Sequence, residues 1–325
     1  MTYDPDGAMR SRSVDMTFDS FTQQRADQFG YDGQRRLSSV TGSDTIDYSS
    51  YDPNGNLWAV TCSGETDTFT GAPGRDQLES VTLSGGAAQP MTYSARGQLT
   101  AGMGRSLSYD FATGMTTAIA GSETLRLAYG GVQQRVLKQN TTTGSTTVSF
   151  FGAGQVPVAV LTDGTWAVAV QGPSGLLAWI SDRTYRPLAD VTGSVWAVVE
   201  GSTLIGARTY QPFGQLQDVF GTPGVIPAAY QGQGWDAEVG LYNFRTRMYD
   251  PVLRRFLTPD PQRQFASPYT FAGNHPLVVV DPTGEISLWA QVGIGAALVV
   301  VTAVGLGLTL VCLLYTSDAA DEWIG

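Results

Sequence analysis

The chain has 325 residues, of which 29 are acidic and 19 basic, so its formal net charge is −10. This balance argues against nucleic acid as a partner, because phosphate binding needs a positive surface. Two cysteines and one histidine are too few for a zinc site of Cys and His ligands or for a disulfide framework. We therefore expect no metal and no cofactor, and we interpret His275, between Asn274 and Pro276, as a turn residue.

A short motif recurs through residues 1–142. Each copy has a turn rich in Asp and Gly, followed by a run that alternates apolar and polar residues. An Asp side chain can cap such a turn, and Gly supplies the positive φ that the turn needs. Each copy therefore predicts a β-hairpin, and stacked hairpins are expected to share one sheet. The copies that begin with tyrosine start at Tyr3, Tyr31, Tyr51, Tyr93 and Tyr109.

Residues 143–234 continue this pattern with more apolar strands. Successive hairpins are predicted between Thr143 and Gly172, with turns at Gly152-Ala153-Gly154 and at Asp163-Gly164. The segment that starts at Thr184 reads TYRPLADVTGSVWAVVEGSTLIGARTYQPFGQ.

The stretch from Gly240 to Gly284 is the most distinctive part of the chain. It reads GLYNFRTRMYDPVLRRFLTPDPQRQFASPYTFAGNHPLVVVDPTG and contains three Asp-Pro pairs. It resembles the core-associated segment of the RHS (rearrangement hotspot, or YD-repeat) family, whose motifs are GLYYxxARYYDPxxGRFLSxDP and NPVxxxDPxG. The repeats resemble that family's YDxxGxL motif, and the segment from Thr184 resembles its YLxDHLGSVRAV…YxPFG.

The resemblance implies an all-β fold. YD-repeat β-hairpins would form part of a spiralling β-sheet shell, closed by the core-associated segment at residues 235–285. In this family the shell encloses a C-terminal polypeptide, often a toxin. We accordingly predict that the partner of this chain is its own C-terminal polypeptide, which would be an effector.

The resemblance also implies an aspartyl autoprotease that acts only on its own chain. The matching aspartates are Asp260 and Asp281, and the scissile bond transferred by position is Glu285–Ile286. Two neighbouring carboxylates can share a proton, so that one activates water and the other polarises the scissile carbonyl. Arg255 is the candidate for holding the charge.

Two departures from the family pattern leave a second interpretation open. The first DPxG motif lacks its glycine, and Glu285 stands where the family has leucine. Asp before Pro is also a common turn cap. The segment 235–285 can therefore equally be a structural plug that does not cleave.

Residues 286–311 form an uncharged run long enough to cross a bilayer as one helix. We predict a hydrophobic helix there, either inserted in a membrane or buried inside the shell or a partner. The tail 312–325 begins with CLLYTSDAADE, which resembles a translated sequencing-library adapter. The chain is interpreted as a fragment of a longer protein.

Two functions are consistent with these features. The first is an RHS-type shell and core that encapsulates and delivers a C-terminal effector, with self-cleavage near Glu285–Ile286 as an optional step. The second is a non-cleaving surface or wall-associated structural protein that binds glycans. Both predict a secreted or cell-surface location.

Overall fold

The fold was described from a computed structural model, which covers residues 1–4, 7–18, 21–72, 74–110, 114–131, 133–152, 157–172, 175–285, 297–304 and 307–314. Strands dominate these residues, which confirms the all-β prediction. Regular helix within them is limited to three short 3-10 turns: Pro223–Val225, Tyr230–Gly232 and Ala272–Asn274.

The first sheet holds the N-terminal repeats. Its strands are antiparallel and pair in chain order, as expected for consecutive hairpins whose turns are specified locally. They are β1 (Thr2–Tyr3), β2 (Met9–Phe18), β3 (Phe21–Tyr31), β4 (Leu37–Gly42), β5 (Ile46–Asp47), β6 (Ala59–Cys62), β7 (Glu65–Gly71), β8 (Leu78–Thr82) and β9 (Gln89–Pro90).

A second, longer antiparallel sheet continues in the same chain order. It holds the remaining repeats and the more apolar hairpins. Its strands are β10 (Thr92–Tyr93), β11 (Leu99–Gly102), β12 (Arg105–Asp110), β13 (Gly114–Ala120), β14 (Glu123–Tyr129), β15 (Arg135–Asn140), β16 (Thr146–Phe151), β17 (Pro157–Thr162), β18 (Thr165–Gly172), β19 (Gly175–Ile180), β20 (Thr184–Ala189), β21 (Val195–Glu200), β22 (Thr203–Tyr210) and β23 (Leu216–Gly221).

The turn at Asp52 shows how the repeat motif works. The Asp52 carboxylate accepts a hydrogen bond from the backbone N–H of Asn56 at 2.9 Å, and the carbonyl of Asp52 accepts one from Gly55 at 3.0 Å. Gly55 has φ of 86°, in the left-handed region that favours glycine. The predicted roles of Asp and Gly are confirmed at this turn.

The repeat tyrosines connect one repeat to the preceding one. The hydroxyl of Tyr31 donates to the carbonyl of Met9 at 2.8 Å, and that of Tyr51 donates to the carbonyl of Leu37 at 2.9 Å. Met9 and Leu37 are the apolar residues that follow the turn of the previous copy. Each of these tyrosines therefore fixes the spacing between successive repeats.

Residues 234–285, which we call the plug, pack against the buried face of the shell strands in one hydrophobic cluster. Four short strands make its small sheet: β24 (Gly234–Asp236), β25 (Leu241–Asn243), β26 (Met248–Asp250) and β27 (Arg255–Phe256). Phe271 is fully buried at its centre, with the rings of Tyr230, Phe244, Tyr249 and Phe256 at centroid distances of 4.3 to 6.0 Å. Offset and edge-on aromatic pairs of this kind stabilise a core beyond the burial of their area.

Buried ion pairs attach the plug to the shell. Asp236 of β24 pairs with Arg135 and, at 3.0 Å, with Lys138, both on β15. Asp250 of β26 pairs with Arg105 of β12. Removing one partner of such a pair leaves a buried charge uncompensated, so these contacts hold the plug in one position.

The predicted hydrophobic helix at 286–311 is wrong for the part of it that the structure describes. That part is an antiparallel hairpin of β28 (Ala297–Val304) and β29 (Gly307–Leu314), in which Val300 pairs with Val311. Its β-branched run favours strand over helix. No helix among the described residues is long and apolar enough to span a bilayer. Residues 286–296, 305–306 and 315–325 lie outside the described part.

Candidate functional site

The candidate site is built where the last turn of the plug meets the turn between β25 and β26. Thr246 donates to the carbonyl of Thr283 from its backbone N–H at 3.3 Å and from its hydroxyl at 2.8 Å. A Cβ at Gly284 would lie 2.7 Å from the carbonyl oxygen of Phe244, so only glycine fits this close approach. The Asp281–Glu285 segment is therefore fixed against the 244–247 turn.

Asp281 lies at the buried end of this segment. Its side chain is inaccessible to solvent, and its Oδ1 accepts a hydrogen bond from the N–H of Thr283 at 3.3 Å. Among the described residues Oδ2 has no hydrogen-bond partner, and it lies 3.7 Å from Nη2 of Arg247. A buried carboxylate oxygen without a donor is costly, and a catalytic role or an ordered water are among the explanations for such an atom in a folded protein.

Burial raises the pKa of Asp281 to about 6. Arg247 and the N–H groups of Thr283 and Gly284 act in the opposite direction, and the charge of Asp260 adds to the rise. Asp281 therefore holds a proton at mildly acidic pH.

Asp260 is also buried, but hydrogen bonds satisfy both of its carboxylate oxygens. Oδ1 accepts from the N–H of Gln262 at 2.9 Å and Oδ2 from that of Gln264 at 3.3 Å. Among the described residues the carboxylates of Asp260 and Asp281 do not hydrogen-bond to each other. Their charges affect each other without a direct contact, and both charges also act on Arg247.

Arg247 connects the segment that contains Asp281 with the segment that contains Asp260. Its Nε donates to the carbonyl of Gly284 and its Nη1 to the carbonyl of Pro268 at 3.3 Å. The same Pro268 carbonyl accepts the backbone N–H of Asp260 at 2.8 Å. Burial lowers the pKa of Arg247, whereas the charges of Asp260, Asp281 and Glu285 raise it.

The structure places Arg255 on the shell side of the plug. Its Nη2 donates to the carbonyl of Asp76 at 2.5 Å, and its guanidinium stacks on the ring of Tyr269 at 4.8 Å. The arginine at the two aspartates is Arg247. The signal for it was present in the sequence, because Arg247 matches the arginine of the family motif ARYYDP.

Glu285 and Asp260 share a cavity of about 380 Å³. The cavity has room for water beside both carboxylates. Its other charged lining residues are Asp110 and four arginines: Arg96, Arg245, Arg247 and Arg263. A glutamate at the predicted cleavage position therefore lies among positive charges. Ile286, the other half of the predicted scissile bond, lies outside the described residues.

Sequence reasoning missed Gln231, in the second 3-10 turn. Its Oε1 accepts the N–H of Asp281 at 3.1 Å, and its Nε2 donates to the carbonyls of Pro276 and Val279 at 3.3 and 3.0 Å. Gln231 has φ of 49°, which a non-glycine residue adopts only when its surroundings hold it there. No short motif signals this residue, because its role depends on contacts with residues far along the chain.

The comparison with protein families agrees with this architecture. A family model described as Teneurin YD-shell matches residues 1–276 of the chain. The chain belongs to this family. The resemblance to RHS and YD-repeat proteins predicted from the motifs is thereby confirmed.

Two curated proteins are similar to parts of this YD-shell chain. Salivary gland surface protein 1 of Aedes aegypti is 39% identical over 122 residues, which are 37% of this chain and 4% of that protein. Toxin protein Tse5 of Pseudomonas aeruginosa is 40% identical over 77 residues, which are 23% of this chain and 6% of that protein. The chain thus spans a small fraction of both relatives.

Solved structures share the shell fold. The crystal structure of TcdB2-TccC3 without its hypervariable C-terminal region matches with a TM-score of 0.58 at 16% identity. The match covers 87% of this chain and 18% of that one. The structure titled TcdB2-TccC3-TEV matches with a TM-score of 0.51 at 14% identity, over 87% of this chain and 19% of that one. At these identities the likeness establishes the fold.

The remaining candidate residues of the YD-shell chain occupy structural positions. His275 follows the third 3-10 turn, and its N–H donates to the carbonyl of Ala272 at 2.9 Å. Cys62 contacts Nε2 of Gln211 at 3.7 Å. Among the residues that the structure describes, no three His, Cys, Asp or Glu side chains are grouped so that they could hold a metal ion.

Proposed function

We propose that this chain is the closing part of a YD-shell that encloses a C-terminal polypeptide and releases it by cutting the Glu285–Ile286 bond. The observation that supports self-cleavage is the environment of Asp281. Its carboxylate is buried, its Oδ2 has no hydrogen-bond donor in the part of the chain that the structure describes, and its pKa is raised to about 6 beside the predicted scissile segment. A turn cap needs none of these properties.

The reaction assigns one role to each aspartate. Water adds to the carbonyl carbon of Glu285, Asp260 takes a proton from that water, and Asp281 gives its proton to the carbonyl oxygen. The intermediate then collapses with breakage of the carbon–nitrogen bond. The nitrogen of Ile286 takes the proton from Asp260, and Asp281 regains its proton as the carboxyl group of Glu285 forms.

The other groups of the site position this reaction. Arg247 holds the Gly284 carbonyl and lies opposite Oδ2 of Asp281, so it fixes the cleavage segment and the acid together. The cavity at Glu285 and Asp260 supplies the space for water. Its arginines balance the charge of Glu285 where the family has an apolar residue.

Delivery of an effector outside the producing cell is the wider function that we propose. Membership of the YD-shell family and similarity to a protein named as a toxin support it. Similarity to a protein named as a surface protein supports a second candidate, a shell that stays uncut at a cell surface. Whether the chain cuts itself distinguishes the two candidates, because only the first requires the cut.

The test is the intact mass of the purified chain. We expect the native chain to yield a product that ends at Glu285, and Asp281→Asn and Asp260→Asn to stay whole. Asp52→Asn is the matched control, because Asp52 also precedes proline in a turn but belongs to the repeats. A product that ends at Asp260 or Asp281 would have a different mass and would contradict a cut at the Glu285–Ile286 bond. An uncut native chain would reject self-cleavage and favour the surface protein.

A further inference from the structure

Thr283 lies two residues before the proposed scissile bond and contacts its carbonyl. The Thr283 hydroxyl donates to the carbonyl oxygen of Glu285 at 2.9 Å. The same hydroxyl oxygen accepts the backbone N–H of Glu285 at 3.1 Å. The carbonyl that water would attack therefore already carries a hydrogen bond from the cleavage segment itself.

The hydroxyl is held in place by the backbone around it. Thr246 binds the carbonyl of Thr283 with two hydrogen bonds, and Arg247 binds the next carbonyl, that of Gly284. Gly284 itself is packed so closely that a Cβ would lie 2.7 Å from the Thr246 hydroxyl. A donor fixed in this way needs little reorganisation when charge develops on its acceptor.

We propose that Thr283 is a catalytic residue of the self-cleavage, because its hydroxyl stabilises the negative charge that develops on the Glu285 carbonyl oxygen. This inference rests on the proposed function. As water adds to the carbonyl carbon, the carbon–oxygen π bond opens and its electron pair moves to the oxygen. The Thr283 hydroxyl strengthens its hydrogen bond to that oxygen and keeps its own proton, while Asp281 supplies the proton that is transferred.

A hydroxyl that only stabilises the turn would behave differently. Turn-forming hydroxyls contribute to the stability of the loop, and their loss is felt in unfolding. A hydroxyl that acts on the transition state changes the rate of bond cleavage by a larger factor than its effect on stability accounts for. The two roles are therefore separated by measuring rate and stability on the same variants.

The experiment measures the rate of self-cleavage of the full chain during cell-free synthesis, with timed samples analysed by mass. Thr283→Val keeps the shape of the side chain and removes the hydroxyl, so we expect cleavage to slow by about 100-fold or more. Thr283→Ser keeps the hydroxyl and should stay within about tenfold of the native rate. Thr283→Ala provides a second variant without the hydroxyl if valine disturbs the turn.

Thermal melting of the same variants in the uncut Asp281→Asn chain provides the stability readout. Thr283→Val and Thr283→Ser are expected to melt within a few degrees of each other. If the native chain is cut and Thr283→Val is cut at the same rate, the inference is rejected and the proposed function stands. A loss of rate matched by an equal loss of stability would also reject it. A native chain that is never cut would overturn both.

Discussion

Replacement of Asp281 by asparagine should stabilise the fold at alkaline pH. The pKa of Asp281 is raised from 3.8 to about 6, so the folded state binds this proton more tightly than the unfolded state. The stability associated with the proton is fully present below the unfolded value and is lost as pH rises through about 6. A shift of about two units corresponds to about 3 kcal/mol in the free energy of unfolding.

Asparagine has no charge to bury, so Asp281→Asn should recover this free energy. We expect the variant to gain about 3 kcal/mol at pH 8 and about 1.5 kcal/mol at pH 5. Urea unfolding followed by tryptophan fluorescence measures the difference. Both chains should carry Asp260→Asn, so that neither can cut itself, and intact mass verifies this. Because the charge of Asp260 contributes to the raised pKa of Asp281, the gains in this background should fall somewhat below these values. Equal stability at pH 8, or a less stable Asp281→Asn chain, would refute the argument from burial.

Three further outcomes follow from the same contacts. Self-cleavage should accelerate as pH falls from 8 through about 6, because the reaction needs protonated Asp281, and timed mass spectrometry across that range would show it; a rate that falls with acidification would contradict this role. Arg247→Gln should abolish the cut in the same mass assay. The change removes the charge opposite Asp281 and a hydrogen-bond donor to the cleavage segment. Undiminished cleavage would show that the arginine is dispensable. Asp236→Asn should cost about 3–5 kcal/mol, because Asp236 differs from Asp281: burial opposes its charge, but Arg135 and Lys138 lower its pKa, so the charged carboxylate stabilises the fold; thermal melting against the exposed control Asp182→Asn measures that loss.

Local features of the fold were predictable because their causes are local. The turn at Asp52 needs only a capping carboxylate and a glycine three residues later, and both can be read from the chain. The alternation of apolar and polar residues likewise predicts strands, because side chains of a strand point to opposite faces.

The apolar run near the C-terminus shows where hydropathy is insufficient. A long uncharged segment is compatible with one helix or with two strands, and length alone suggested a helix. The β-branched residues Val299 to Thr302 favour strand, and their half of the run pairs with the half that begins at Gly307. Propensity and pairing therefore decided against the helix in the described residues.

Some features of the candidate site could likewise be predicted from the sequence, whereas others depended on the tertiary structure. Sequence by itself determined that two Asp-Pro aspartates, Asp260 and Asp281, lie near the end of a YD-shell chain. Only the tertiary structure decided that Arg247 faces them while Arg255 binds the shell, and that the pKa of Asp281 is raised. The physical reason is that a pKa depends on desolvation and on charges nearby in space, and the groups that bury Asp281 come from segments far apart in the chain.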